Sequence, residues 1–158
     1  MMIFRVSLFL WFALSLLTST AHAESVLGKV IAITDGDTIK ILTVTNQQVK
    51  VRLAEIDTPE RKQPYGKRAK QVLSDKIFGK QVKVEKVTID RYKRMVGKVY
   101  LSDRYINAEM VADGAAWVYR KYSDDDQLLR LEEQARVNYL GLWNGLDPTP
   151  PWEWRKGN

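Results

Sequence analysis

Nine residues, Arg52-Leu-Ala-Glu-Ile-Asp57-Thr-Pro-Glu60, hold the densest chemistry in this chain. Pro59 has no N–H to give a ladder and biases Thr58 toward extended backbone, so the strand carrying Arg52 is expected to stop near Ile56. The turn that follows can aim the Asp57 and Glu60 carboxylates and the Thr58 carbonyl into one small volume. A second acidic pair, Asp35 and Asp37, brackets Gly36. Alone, these segments read as a hairpin turn and a solvated acidic turn. Yet Asp35, Asp37, Glu55, Asp57 and Glu60 cluster in a chain whose formal net charge is +6. If the two segments lie side by side, Asp37 and Asp57 converge, and their repulsion calls for a cation, calcium or another oxygen-loving divalent ion.

Arg52 sits on the strand that delivers the acids, and Arg94 ends the turn Asp90-Arg-Tyr-Lys-Arg94. Either could be a solvated surface charge. A guanidinium fork also stays charged and donates bidentately, which suits phosphate. Metal, two arginines and a carboxylate near an attacking water together match phosphodiester hydrolysis. Other chemistries lose their residues: the chain has no cysteine, and its single histidine, His22, falls in a segment read below as a removable leader. Ser-His and Cys-His catalysis and zinc sites of His or Cys are thereby excluded from the mature part.

The elements that must position these groups follow from periodicity. Alternation over residues 26–33, resumed at Ile39, Ile41 and Thr43 after Asp35-Gly36, predicts a hairpin; after Asn46-Gln47, residues 49–56 form the third strand of a meander. Ala69, Val72, Leu73 and Ile77 predict a helix over 65–78 ended by Gly79. Residues 81–89 and 96–101 return to period two, 106–112 form a short helix stopped by Gly114, and Asp124-Asp-Asp126 opens an amphipathic helix running to Leu140. That acidic run lacks the spacing of a calcium loop and reads as an N-cap. The tail, Pro148-Thr-Pro150-Pro151-Trp152-Glu-Trp154, is expected to be an extended strap whose tryptophans pack on the domain. The sum is an α+β domain: a five-stranded OB-type Greek-key β-barrel with about three helices. Trp117 is expected in the core or at its rim.

Arg5 precedes an apolar run over 6–17 and the small-x-small Ala21-His-Ala23. The expectation is a signal peptide, residues 1–23, cleaved after Ala23, then the domain over 24–146 and the strap over 147–158. Losing Arg5 takes the charge from +6 to +5. Basic residues cluster at Arg61, Lys62, Lys67, Arg68 and Lys70, and again at Arg91, Lys93, Arg94 and Lys98. Such surfaces suit polyanions, nucleic acid first and anionic membrane second.

Six segments, in order, make the chain resemble the staphylococcal nuclease (thermonuclease) family over nearly all of its mature length: Asp35-Gly-Asp37-Thr38, Arg52 to Glu60, Asp90-Arg-Tyr92-Lys-Arg94, Gly114-Ala-Ala-Trp-Val-Tyr119, Gly141-Leu-Trp143 and Pro-Pro-Trp152-Glu-Trp154. The resemblance implies that Asp37 and Asp57 bind Ca2+ through carboxylates and Thr58 through its carbonyl. It implies Glu60 as general base or water-orienting group and Arg52 and Arg94 as transition-state stabilisers, Arg94 near the leaving group. Tyr92 matches a position that hydrogen-bonds a terminal phosphate, and the resemblance implies Tyr119 as a nucleotide contact. Lys93 stands where the family commonly has glycine.

The expected function is an exported calcium-dependent endonuclease, periplasmic or secreted, cutting DNA and RNA at the 5′ P–O bond to leave 3′-phosphates. Single strands are the expected preference, the protein a monomer without stable membrane association. The rivals are an OB-fold nucleic-acid-binding module with weak catalysis and a basic envelope protein tethered by an uncleaved leader.

Overall fold

The computed structural model describes residues 24–145 and 147–157, so the expected leader over 1–23 lies outside the described residues. Strand β1 (Ser25–Asp35) turns through Gly36 and Asp37 into β2 (Thr38–Thr43), which pairs with β3 (Gln48–Leu53), all antiparallel. Helix α1 (Gly66–Ile77) follows, then β5 (Gln81–Ile89) and β6 (Met95–Leu101), after the short β4 (Ile56–Asp57). β5 pairs with both β1 and β6, and β6 pairs with the short β7 (Arg104–Tyr105) and lies parallel to β3, with Val51 opposite Met95 and Leu53 opposite Gly97. That parallel pairing closes the five long strands into a barrel in the order β3-β2-β1-β5-β6, so no long edge is left unpaired.

Alternation decides what fills it. Val30, Ile39, Ile41, Val51, Leu53, Val84 and Val99 all point inward and are fully buried. Ala69, Leu73 and Ile77, four residues apart on α1, join this core from one end, with Ile106, Met110 and Val111 of α2 (Ile106–Ala112). Asn107, wholly buried, is satisfied by accepting from Val99 N–H and donating to the Ala54 and Gly97 carbonyls, which ties α2 to the barrel rim. Helix α3 (Asp126–Val137) starts at Asp125, whose carboxylate accepts from the amides of Gln127 and Leu128, so the acidic run is the N-cap that its composition predicts.

Three expectations change, the first being that α3 ends at Val137 and not at Leu140, with Tyr139 left-handed (φ 53°) just beyond it. The third strand stops at Leu53, three residues early, because Glu55 takes a left-handed conformation (φ 67°). Ile56–Asp57 then forms β4, paired with β8 (Trp117–Val118) in a separate two-stranded ribbon. The tail is not extended throughout: Pro151–Gly157 is a helix, α4, making four α-helices among the described residues where about three were expected. Prolines suggest a break, but Pro151 occupies the first helical position, where a missing N–H costs nothing. Trp152 does pack on the domain, edge-on to Trp117 at 5.7 Å, and Trp117 is itself in contact with Trp143 at 4.3 Å.

Candidate active site

A cleft of about 790 Å³ opens at one end of the barrel, and all eight residues singled out from the sequence line it: Asp37, Arg52, Asp57, Thr58, Glu60, Tyr92, Arg94 and Tyr119. Gly36 lets the first hairpin reach the cleft. A Cβ there would meet Thr58 Oγ1 at 2.7 Å and Ala69 Cβ at 2.9 Å, so only glycine allows so close an approach. Asp37 is thereby buried against the β4 turn, where its Oδ2 accepts the Thr58 amide at 3.2 Å and its Oδ1 the Thr38 hydroxyl at 3.0 Å. At Thr58 it is thus the amide, 21 residues from Asp37 in sequence, that knits the two acidic segments together.

Arg52 clamps both. Its Nη2 lies 2.9 Å from Asp57 Oδ1 and 3.2 Å from Asp37 Oδ2, while Nη1 donates to the carbonyls of Leu53 and Ile56, each at 3.0 Å. One guanidinium nitrogen therefore touches both carboxylates, and the predicted convergence of Asp37 and Asp57 is a fact of the fold. Burial opposes the Arg52 charge, but Asp37 and then Asp57 outweigh it and hold the guanidinium protonated above its ordinary range. Asp57 is 1% exposed, and burial pushes its carboxyl up despite hydrogen bonds and charge from Arg155 and Arg52. Asp35, at the same cleft, is pushed to about 6, by burial first and Asp37 second. In both, burial is the larger cause, and for Asp57 it acts even with two guanidinium groups in contact.

Among the described residues no group of three or more His, Cys, Asp or Glu side chains forms a metal cage. The donors that do converge, two carboxylates with backbone carbonyls nearby, are hard oxygens that leave most of a coordination sphere to water or substrate. That composition fits a hard, oxygen-bound cation rather than a softer metal.

Glu60 stands at the rim on a loop held by reciprocal bonds: its N–H donates to Gln63 Oε1 at 3.0 Å and its carbonyl accepts the Gln63 N–H at 2.8 Å. Gly66 makes that loop possible, since a Cβ would come within 1.9 Å of the Glu60 carbonyl oxygen. Arg94 faces the cleft from the β5–β6 turn. Asp90 aims it, accepting from Arg94 Nε at 2.7 Å and from its amide at 2.9 Å, and these bonds hold the Asp90 carboxyl below its usual range although burial acts the other way. Lys93 takes φ 59° in this turn, the left-handed conformation for which glycine is the natural residue, and the turn closes regardless. Tyr92 is 63% exposed, with the Arg91 and Arg94 guanidinium carbons 4.8 and 5.3 Å from its ring centre. Tyr119 lies stacked on Trp152, with ring centres 5.3 Å apart.

The sequence reasoning missed Arg155. From α4 its Nη2 reaches Asp57 Oδ2 at 2.7 Å and its Nη1 reaches Glu60 Oε1 at 2.7 Å. The partners are 98 and 95 residues away, and no periodicity or motif links them. Only the helical turn from Trp152 to Arg155 carries the guanidinium to the cleft, and an extended tail gives no reason to expect it.

The family described as Staphylococcal nuclease homologue matches residues 50–145 of the chain. An uncharacterized endonuclease of Haemophilus influenzae is 43% identical over 128 residues, covering 81% of this chain and 72% of its own length. A micrococcal nuclease of Shigella flexneri is 43% identical over 142 residues, covering 83% of this chain and 81% of its own. Protein ParB of Escherichia coli is 41% identical over 155 residues, covering 91% and 86%. With a closed five-stranded barrel presenting acids and arginines to one cleft, and family similarity running from β3 through the turn after α3, the chain belongs to the staphylococcal nuclease family, a family of nucleic-acid hydrolases.

Proposed function

We propose that the chain is a calcium-dependent, sugar-nonspecific endonuclease that is exported after loss of residues 1–23 and cuts DNA and RNA to leave 3′-phosphate ends. The observation that carries this reading is the meeting of Asp37 and Asp57 on one nitrogen of Arg52, with Glu60 at the rim and Arg94 in the same cleft.

In this reading Asp37, Asp57 and the Thr58 carbonyl hold the ion, which when bound supplies positive charge to a phosphate oxygen. Glu60 takes a proton from the water that attacks phosphorus. Arg52, already fixed by two carbonyls and two carboxylates, and Arg94, aimed by Asp90, offset charge that grows on the phosphoryl oxygens as the centre becomes five-coordinate. The P–O5′ bond breaks, the 5′ oxygen takes up a proton from solvent and leaves as a hydroxyl, and phosphate stays on the 3′ side. Arg94 is the arginine assigned to the side of the departing oxygen. Tyr92 and Tyr122, each 63% exposed on the cleft, offer faces on which unpaired bases can stack, which favours single strands. Among the described residues no helix is long and apolar enough to cross a membrane.

The test is to add calcium to the purified protein with single-stranded DNA and RNA. Fragmentation of both, abolished by a chelator, is the expected result. Intact substrate at millimolar calcium would assign the cleft to a binding module instead.

A further inference from the structure

Helix α4 carries a charge into the cleft that the proposed chemistry does not use. Arg155 makes three contacts there: Nη2 to Asp57 Oδ2 at 2.7 Å, Nη1 to Glu60 Oε1 at 2.7 Å, and Nη1 to Asp57 Oδ1 at 3.3 Å. Basic residues in a last helical turn complement the helix dipole, and Lys156 beside it needs no further explanation. Arg155 goes beyond that role, because it bridges a buried carboxylate to the carboxylate assigned as base.

Its position is built. Pro151 is buried, Trp152 lies flat on Tyr119 and edge-on to Trp117, and Gln63, which holds the Glu60 loop, also donates to the Thr149 carbonyl at 2.6 Å. The loop that presents Glu60 and the segment that presents Arg155 are thus fastened together. Arg155 covers both oxygens of Asp57, and Arg52 already takes Oδ1 at 2.9 Å. Oδ1 then has two donors, which is its capacity. A divalent ion bound to Asp57 would stand against the guanidinium, and like charges at such a distance repel.

We propose, resting on the calcium reading above, that Arg155 is a tethered counter-ion of the metal-free site: it neutralises Asp57 and Glu60 and must yield Asp57 when the divalent cation binds. The exchange keeps a buried carboxylate from standing uncompensated at any stage. It also sets the apparent calcium affinity, because each binding event must first break a charged, bidentate contact. Once displaced, the guanidinium stays within one side-chain length of the cleft, since Trp152 and Pro151 hold its helix in place.

Calorimetric titration of calcium chloride into the wild-type protein, Arg155→Ala and Arg155→Lys, without substrate, tests this. Arg155→Ala is expected to bind calcium about tenfold more tightly, with Arg155→Lys between it and wild type because an ammonium cannot span both carboxylates. Thermal melts add a second readout: Arg155→Ala lowers the Tm of the metal-free protein and leaves the calcium-saturated Tm unchanged. Equal affinities and equal metal-free melting overturn the counter-ion role while leaving the calcium reading intact. Weaker binding by Arg155→Ala also overturns it, since Arg155 would then support the ion site rather than compete for it. No calcium binding by any of the three proteins removes the calcium reading and this inference with it.

Discussion

At the scale of single residues, the site solves an electrostatic problem with directed hydrogen bonds. Six carboxylates, those of Asp35, Asp37, Glu55, Asp57, Glu60 and Asp90, line one cleft, and Arg52 is held among the aspartates because two main-chain carbonyls fix its fork. Glu60 differs from the aspartates in being about two-fifths exposed, where an attacking water can reach it. Glu60→Gln keeps the size of the side chain and removes its basicity. Turnover is expected to fall at least ~10²-fold with substrate affinity retained, measured as single-turnover cleavage beside a binding titration; equal losses in both would move Glu60 from catalysis to binding. Asp35 was visible as part of the acidic cluster in the sequence, yet nothing local tells that burial and Asp37 together raise it to about 6.

Elements decide how accurately those residues are aimed. The acid-bearing segment is a turn and a two-residue strand, β4, positioned by β8 from a distant part of the chain. Glu60 is aimed by the start of α1, where Tyr65 is left-handed (φ 69°) and Gly66 packs against the Glu60 carbonyl. Gly66→Ala cannot be accommodated without moving that backbone. It is expected to cost about 2 kcal/mol or more of stability, read as a lower urea midpoint, and to reduce turnover further in the fraction still folded, because the loop carrying Glu60 is displaced. A folded, fully active Gly66→Ala protein would show that the loop tolerates either position. Helix α4 is the element whose type the sequence misled on: three prolines in four residues look like a break, but Pro151 starts a helix from which Trp152 stacks on Tyr119 and Arg155 lines the cleft.

For the whole molecule, closure of the barrel by the parallel β3–β6 contact brings Arg52 beside Val96, and so carries the Arg94 turn to the same end as the acids. Away from the cleft, Glu109 of α2 ties the helix layer together, accepting from Lys76 of α1 at 2.9 Å and from Arg104 at 2.6 and 2.7 Å. Hydrogen bonds from Arg104, then Lys76, lower its carboxyl from 4.5 to about 2 in the folded state, although burial works against them. A depressed folded-state carboxylate stabilises the fold above its unfolded value, and that contribution fades as pH falls from 4.5 toward 2. Glu109→Gln is therefore expected to lie below wild type at neutral pH and to approach it across that window in pH-dependent urea titrations; parallel curves would show that the network adds no pH-dependent stability. The exposed share of these groups keeps the effect modest and salt-sensitive.

Periodicity and turn chemistry in the sequence were enough to determine the barrel strands and helices α1 to α3 in outline, together with the acids Asp37, Asp57 and Glu60 and the arginines Arg52 and Arg94. Those features are local: alternation, a four-residue helical repeat and a proline stop act over a few neighbours. Two matters were left to the tertiary structure. Glu55 breaks the third strand because β4 must turn aside to pair with β8, and Arg155 meets acids nearly a hundred residues away. Each depends on which distant surfaces come together, and a chain records its neighbours in order while its contacts are chosen by packing.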